Sequence, residues 1–388
     1  MSSAASPNSS TPSHHLNQAN HRPSQSTSSP SRRPRPDSED EADEHYAKGR
    51  KKRRAVEAPY RGWGRSGARH SDPFSDMRMM IGVTLRVRGG KKTLSSMSLS
   101  QRRAYHSFER MTAHIPELDN YLATCTAEQL EKLKEEMKLG QQSARTADTN
   151  GLKTSILEMV RALYPEAADD LKDLRTNQKS TRGFRNIVLG QLLCPINKNW
   201  DDEDVQQELL AKPGAASTTA WPFFFYPKGD FNSKNIMQGL LRGELIVWAY
   251  KFIYLGPSTW STTRREADED VFASQNCNAK LHNLDEVTPQ SIAYVASQVR
   301  FALSSGQANH KSGGPFSLQD FFWHVMGYFE DEMFADHVEE LLTWWNNQIF
   351  PATPDEEESE DPETDSLALM KAQLVAQRRD ALGDVTNN

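Results

Sequence analysis

The chain has few cysteines, no long uncharged apolar run and, over residues 1 to about 75, almost no aliphatic side chains. Its three cysteines, Cys125, Cys194 and Cys277, are scattered through 388 residues. So few thiols at such separations exclude a disulfide scaffold and fit a reducing compartment. The opening MSSAASPNSS carries no apolar leader, so no secretory signal is expected. The longest apolar run, Ile236 to Leu255, is interrupted by Arg242, Glu244 and Lys251. Charges inside a bilayer span are costly, so the run reads as a buried helix and no membrane contact is expected.

Catalytic and ligand-binding signatures are also missing. There is no H-E-x-x-H and no G-x-S-x-G, and the string GGKKT lacks the first glycine of a phosphate-binding loop. Cys277 and His282 stand five apart with no second Cys/His pair nearby, which is no zinc signature, so they read as loop residues. His106 and His114 are eight apart, too far for an i, i+4 ligand pair. Cys194 precedes Pro195 in apolar surroundings and reads as a small core residue. Asp201, Asp202, Glu203 and Asp204 read as acids at a helix start, where the dipole favours them without an ion. No catalytic set, metal site or cofactor is therefore expected.

What is present is unevenly spread. Residues 1–100 carry 18 Lys and Arg against 9 Asp and Glu, whereas residues 351–388 carry 3 against 10. The net charge of −6 thus hides a basic arm and an acidic tail around a mildly acidic middle. A segment as poor in aliphatic residues as the arm cannot bury enough surface to offset its ordering entropy, so disorder is expected there. The boundaries read as follows: 1–76, a basic, Ser- and Pro-rich arm; 77–99, a linker or short extended segment, because Val83, Leu85 and Val87 alternate with polar residues; 100–350, a folded domain; 351–388, an acidic tail in which 366–382 could form a short helix.

Within 100–350 the apolar period is helical. Tyr105, Phe108, Met111 and Ile115 share a face, and Thr126 with Gln129 forms a capping box. Asn150-Gly151 should interrupt or bend the helix that follows. Ile156, Leu157, Val160 and Leu163 line a further face. Thr288-Pro289 opens another helix, Ser317 caps the next, and Val338 to Ile349 forms the last. The tally is seven or eight helices with no βαβ rhythm, hence one all-α domain flanked by disordered tails.

Several blocks occur in a fixed order: Arg182-Gly183-Phe184, Leu192 to Pro195, Trp200-Asp201-Asp202, Trp221 to Tyr226, Gly239 to Gly243, Ile253 to Ser258, Thr288 to Ser304, Phe329-Glu330-Asp331 and Thr343 to Asn346. In these blocks the chain resembles a domain family of unknown function that is widespread in mushroom-forming fungi. The likeness is close over 180–350 and looser over 100–165. It implies an intracellular helical domain and carries over no catalytic residues.

Four features remain as candidates. The run Lys48, Arg50, Lys51, Lys52, Arg53 and Arg54 resembles a nuclear localisation signal and would engage an import receptor. Ser38, followed by Glu39, Asp40 and Glu41, suits an acidophilic kinase, and a phosphate there would add to the acidic block. Lys179, Arg182, Arg185 and Lys198 around Phe184 could grip a nucleic-acid backbone. Arg242 and Glu244 should form a core ion pair or line a pocket. The leading expectation is a nuclear, non-enzymatic protein with protein partners and nucleic acid contacted through the arm. The rival is an enzyme of unknown reaction with its pocket around Arg242, Glu244 and His324.

Overall fold

A computed structural model describes residues 59–212, 216–261, 277–306, 316–351 and 370. The chain divides into Met1–Arg54 and Ala55–Asn388, and the described residues all belong to the second unit. The basic run 48–54, Ser38 and all of the expected helix 366–382 except residue 370 lie outside the described residues.

The unit is all-α. The long helices are α1 (residues 59–70), α2 (Met77–Arg88), α3 (Leu99–His114), α4 (Pro116–Thr124) and α5 (Ala127–Leu163). Shorter elements follow: α6 (Ala168–Leu171), α7 (Ile187–Leu193), α8 (Glu203–Ala211), α9 (Glu244–Tyr254) and α10 (Asn278–Leu281). Last come α11 (Pro289–Leu303), α12 (Leu318–Glu330) and α13 (Ala335–Ile349). Among the described residues, extended pairing is limited to an isolated antiparallel bridge between Pro195 and Pro222. The helices outnumber the seven or eight expected because α1 and α2 belong to the fold and because the short α6 and α10 leave little periodic trace.

Two boundaries are corrected. Residues 59–76, assigned to the arm, form α1 and a buried turn: Ala68, Arg69, Ser71, Asp72 and Phe74 are all buried. Residues 77–88 are helical, not extended. Asp76 caps them by accepting from the Met79 amide at 3.1 Å, and Met77, Met80, Ile81 and Thr84 are buried at helical spacing. The strand-like alternation of Val83, Leu85 and Val87 coexists with this pattern, and packing against α3 and α5 selects the helix.

The long helix α5 organises the rest. Its capping box is present, with the Gln129 amide donating to Thr126 Oγ1 and the Thr126 amide donating back to Gln129 Oε1. It runs through Asn150-Gly151 without a break, and Gly151 lies against the Phe252 ring, where a side chain would be crowded. At 37 residues it is about 55 Å long and serves two cores. Its first half packs with α2, α3 and α4 around Met80, Phe108, Met111 and Met137. Its second half packs with α7, α9, α11, α12 and α13 around Tyr250, Tyr294, Phe321 and Trp345.

The expected helix over 236–255 begins only at Glu244. Gly239 and Leu241 both have positive φ (74° and 58°), which a helix excludes, so 236–243 is a series of turns. Arg242 therefore lies outside the helix, and Glu244 is its first residue.

Candidate functional site

Helix α1 is fixed to α5 by two glycines. A Cβ on Gly64 would lie 2.0 Å from the Met137 carbonyl oxygen, and one on Gly140 would lie 2.2 Å from that of Arg61. The backbones therefore touch. From that crossing, residues of successive turns pair in step: Arg61 with Glu136, Arg65 Nη2 with Ser143 Oγ at 3.0 Å, and Arg69 with Asp148. The last pair is buried and two-pronged. Asp148 also accepts from the Tyr294 hydroxyl of α11 at 2.7 Å, and the Tyr254 hydroxyl of α9 donates to the Arg69 carbonyl at 2.8 Å. Burial opposes the charge on Arg69, but Asp148 outweighs it and leaves the guanidinium above its ordinary pKa.

Three histidines complete this network. Arg69 Nη1 lies 3.2 Å from His282 Nε2. A guanidinium can only donate, so His282 Nε2 accepts and carries no proton. Burial, with Arg69, His114 and Arg65 adding to it, lowers His282 to about 3. His114 Nε2 donates to the His282 carbonyl at 2.7 Å. His70 stacks on His114 with ring centroids 4.4 Å apart. Burial, then its two histidine neighbours, hold His70 well below its ordinary pKa, and neither of its ring nitrogens has a hydrogen-bond partner. His114 and His282, with Trp63, Arg65 and Phe252, wall a half-open cavity of about 790 Å³. Its polar lining includes the His282 imidazole, which accepts from Arg69, and the Arg69 guanidinium, which Asp148 already holds.

A second cavity, also about 790 Å³, is aromatic. Asp320, Trp323, His324, Gly327 and Tyr328 line it from one face of α12, at steps of three, one, three and one. Trp221 closes the opposite side, 5.0 Å from the His324 ring and 6.0 Å from that of Tyr328. The Arg103 guanidinium of α3 lies 4.6 Å over the Trp323 ring. Burial lowers His324 despite support from the Thr219 backbone.

The expected nucleic-acid cluster is corrected. Lys179 and Arg182 are buried. Lys179 Nζ donates to the Phe301 carbonyl at 2.6 Å and Arg182 Nη1 to that of Ala302 at 2.8 Å. Arg182 Nη2 reaches the Lys153 and Thr176 carbonyls, each at 3.0 Å. These cations add donors to carbonyls at the C-terminal end of α11, where Phe301 also accepts from the Ser304 amide and hydroxyl. Arg185 donates to the Ser180 carbonyl, Lys198 pairs with Glu208, and Phe184 packs on Trp200. The five residues form no common basic surface.

Arg242 and Glu244 do not pair with each other. Arg242 Nη2 meets Glu340 at 2.8 Å near the surface, and Glu244 accepts from the Lys228 amide at 3.1 Å. Of the three residues in the rival enzyme pocket, only His324 lines the aromatic cavity. Asp202 caps α8. Cys194 is buried in the core, and burial pushes its thiol up to about 11. Among the described residues no cluster of His, Cys, Asp or Glu could hold a metal ion, and no helix is long and apolar enough to cross a membrane.

Cys277 and His282, read as loop residues, both line the polar cavity. Arg69 and His70 were assigned to the arm. Their signal was local: an Arg-His pair on a segment with Trp63 and glycines at 62, 64 and 67, a composition unlike the Ser/Pro stretch before it.

A family model described as "Family of unknown function (DUF6698)" matches residues 139–350. No curated protein and no solved structure matches the chain. The matched segment contains Asp148, Tyr254, His282 and Tyr294, and lies C-terminal to Arg69, His70 and His114.

Proposed function

We propose that this chain, which belongs to the DUF6698 family of unknown function, is a non-enzymatic recognition protein of the nucleus. The observation that carries the reading is the mutual engagement of Arg69, Asp148, Tyr294 and His282 beside the polar cavity. A general base works best with a pKa near the operating pH, and an imidazole lowered to about 3 is far from it. Fixed donors and acceptors around a half-open cavity suit binding, because little order has to be gained when a ligand enters.

The basic run Lys48–Arg54 supports import into the nucleus of a fungal cell, the source that the sequence resemblance implies. It also supports the arm as the nucleic-acid contact, since Lys179 and Arg182 are consumed inside the domain. Protein partners are expected at the folded domain, which is itself mildly acidic and so disfavours phosphate.

Two measurements on the full chain test this. A fluorescent fusion should accumulate in the nucleus and lose that accumulation with Lys51, Lys52, Arg53 and Arg54 replaced by Ala; equal distribution of both forms overturns nuclear import. Native affinity purification with and without nuclease should recover partners that survive nuclease. Ala147 lies exposed at the polar cavity, so Ala147→Trp fills the cavity without disturbing the core. Partners recovered equally by Ala147→Trp would overturn the role of the cavity.

A further inference from the structure

The aromatic cavity has a composition that selects its ligand. Its walls are aromatic: Trp221, Trp323 and Tyr328, with Tyr226 and Phe334. Ring faces are negative, so such walls attract a cation that gives up its water cheaply. The charged groups on the lining are Asp320, Asp331 and Arg103. Both carboxylates are exposed, and Arg103 is held over the Trp323 ring, so one negative charge remains in excess at the mouth. The placement of Arg103 also shows that this wall accepts a positive group on its face.

The entrance is built by an unusual residue for its position. Gly327 sits inside α12, is exposed, and has nothing within 4 Å of where a Cβ would stand. No close approach and no positive φ requires a glycine there. A glycine inside a helix is unfavourable relative to alanine. Gly327 is on the cavity lining with Trp323 and Tyr328, and its missing side chain leaves open space there. Ile236, on the same lining, is displayed to solvent at 48% exposure.

We propose that this cavity is a binding site for a methylated ammonium group, carried by a small molecule or by a methylated lysine of a partner protein. A bulky methylated cation loses little hydration on entry, fills an apolar volume and meets ring faces and two carboxylates. A bare ammonium pays a larger desolvation cost, and a neutral isostere gains nothing from the rings or from Asp320 and Asp331. The proposal does not depend on nuclear location or on the polar cavity.

The test is calorimetric titration of the full-length protein with choline and with its neutral isostere 3,3-dimethylbutan-1-ol. Saturable choline binding, at least about fivefold tighter than the isostere, is expected from the cation–ring attraction. Gly327→Leu should remove that binding while leaving the melting temperature equal or higher, which separates blocking from unfolding. Asp320→Asn with Asp331→Asn should weaken choline severalfold and leave the isostere unchanged. Equal binding of choline and isostere, the absence of saturable choline binding, or full binding by Gly327→Leu would each overturn the proposal. In a second comparison, a trimethyllysine peptide that binds tighter than choline assigns the ammonium to a protein partner, and the reverse order assigns it to a small molecule.

Discussion

Arg69 and Asp148 meet through two parallel hydrogen bonds, Nε to Oδ2 at 2.9 Å and Nη2 to Oδ1 at 2.7 Å, although 79 positions separate them in the chain. Both side chains are at most 6% exposed. Removing one member of such a pair leaves an uncompensated buried charge, which typically costs about 3–5 kcal/mol. Asp148→Asn should lower stability by that order, measured by urea denaturation at neutral pH. The double variant Arg69→Met with Asp148→Leu should recover much of the loss, because it buries no unpaired charge.

The pair also decides where the folded unit begins. Helix α1 contributes Arg69 and His70 to the polar network and Trp63 to the neighbouring core, so it is part of the domain and not of the arm. A chain starting at residue 55 should fold with the stability of the full protein. One starting at residue 77 exposes Asp148, Met137 and Met111 and should be strongly destabilised or insoluble. The crossing itself is sensitive to a single side chain. Gly140→Val places atoms on the Arg61 carbonyl, and overpacking of this kind costs about 1–3 kcal/mol. Thermal melting of the three proteins checks both expectations, and full stability of the 77-start chain would remove α1 from the fold.

The helices that carry strong local signals were legible in the sequence. Thr126 with Gln129, Thr288 with Pro289, and Ser317 mark starts that the structure reproduces. The helix over 77–88 was ambiguous because Met77-Met80-Ile81-Thr84 and Val83-Leu85-Val87 fit two periods at once. The delayed start of α9 was hidden because Leu241, a strong helix former, adopts positive φ in a turn that tertiary contacts impose: the Trp345 indole donates to its carbonyl at 3.0 Å. The site was least legible. Arg69, His114, Asp148 and His282 come from four separate elements, and no spacing rule connects them. Lys179 and Arg182 looked like a surface cluster because charge in a sequence does not reveal whether a carbonyl-rich helix end lies above it.

Buried neutral histidines make stability depend on pH in a defined direction. His282 falls to about 3 in the folded domain through burial and the cations beside it, while in the unfolded chain it titrates near 6.5. Between those values the unfolded state binds a proton that the folded state refuses. The stabilisation is therefore complete above about pH 6.5 and is lost as pH falls toward 3. His70 acts in the same direction. Gln in place of His282 keeps an acceptor for Arg69 and removes the titration. Between pH 7.5 and pH 5, His282→Gln should lose less stability than the wild type, by on the order of 2 kcal/mol. Denaturation midpoints at the two pH values give the comparison, and parallel losses would show that His282 is solvated.

Lys179 offers a direct contrast between interior and surface charge. Burial, then the nearby Arg182 and Lys153, lower its pKa to about 7, so its charge is held at a cost. Its ammonium lies 3.4 Å over the Phe301 ring and donates to the Phe301 carbonyl. Lys179→Met keeps the stem against the ring and removes the desolvated charge, although it removes one donor from the Phe301 carbonyl, which Ser304 still serves. The net change in stability should stay within about 1 kcal/mol, since the missing hydrogen bond and the relieved desolvation oppose each other. On a DNA duplex the same substitution should change neither affinity nor its salt dependence. Replacing Lys51, Lys52, Arg53 and Arg54 by Ala should instead reduce the slope of log affinity against log salt, by about 0.9 for each phosphate that is no longer neutralised. A weakened salt slope in Lys179→Met with an unchanged slope in the arm variant would move the nucleic-acid contact from the arm to the domain.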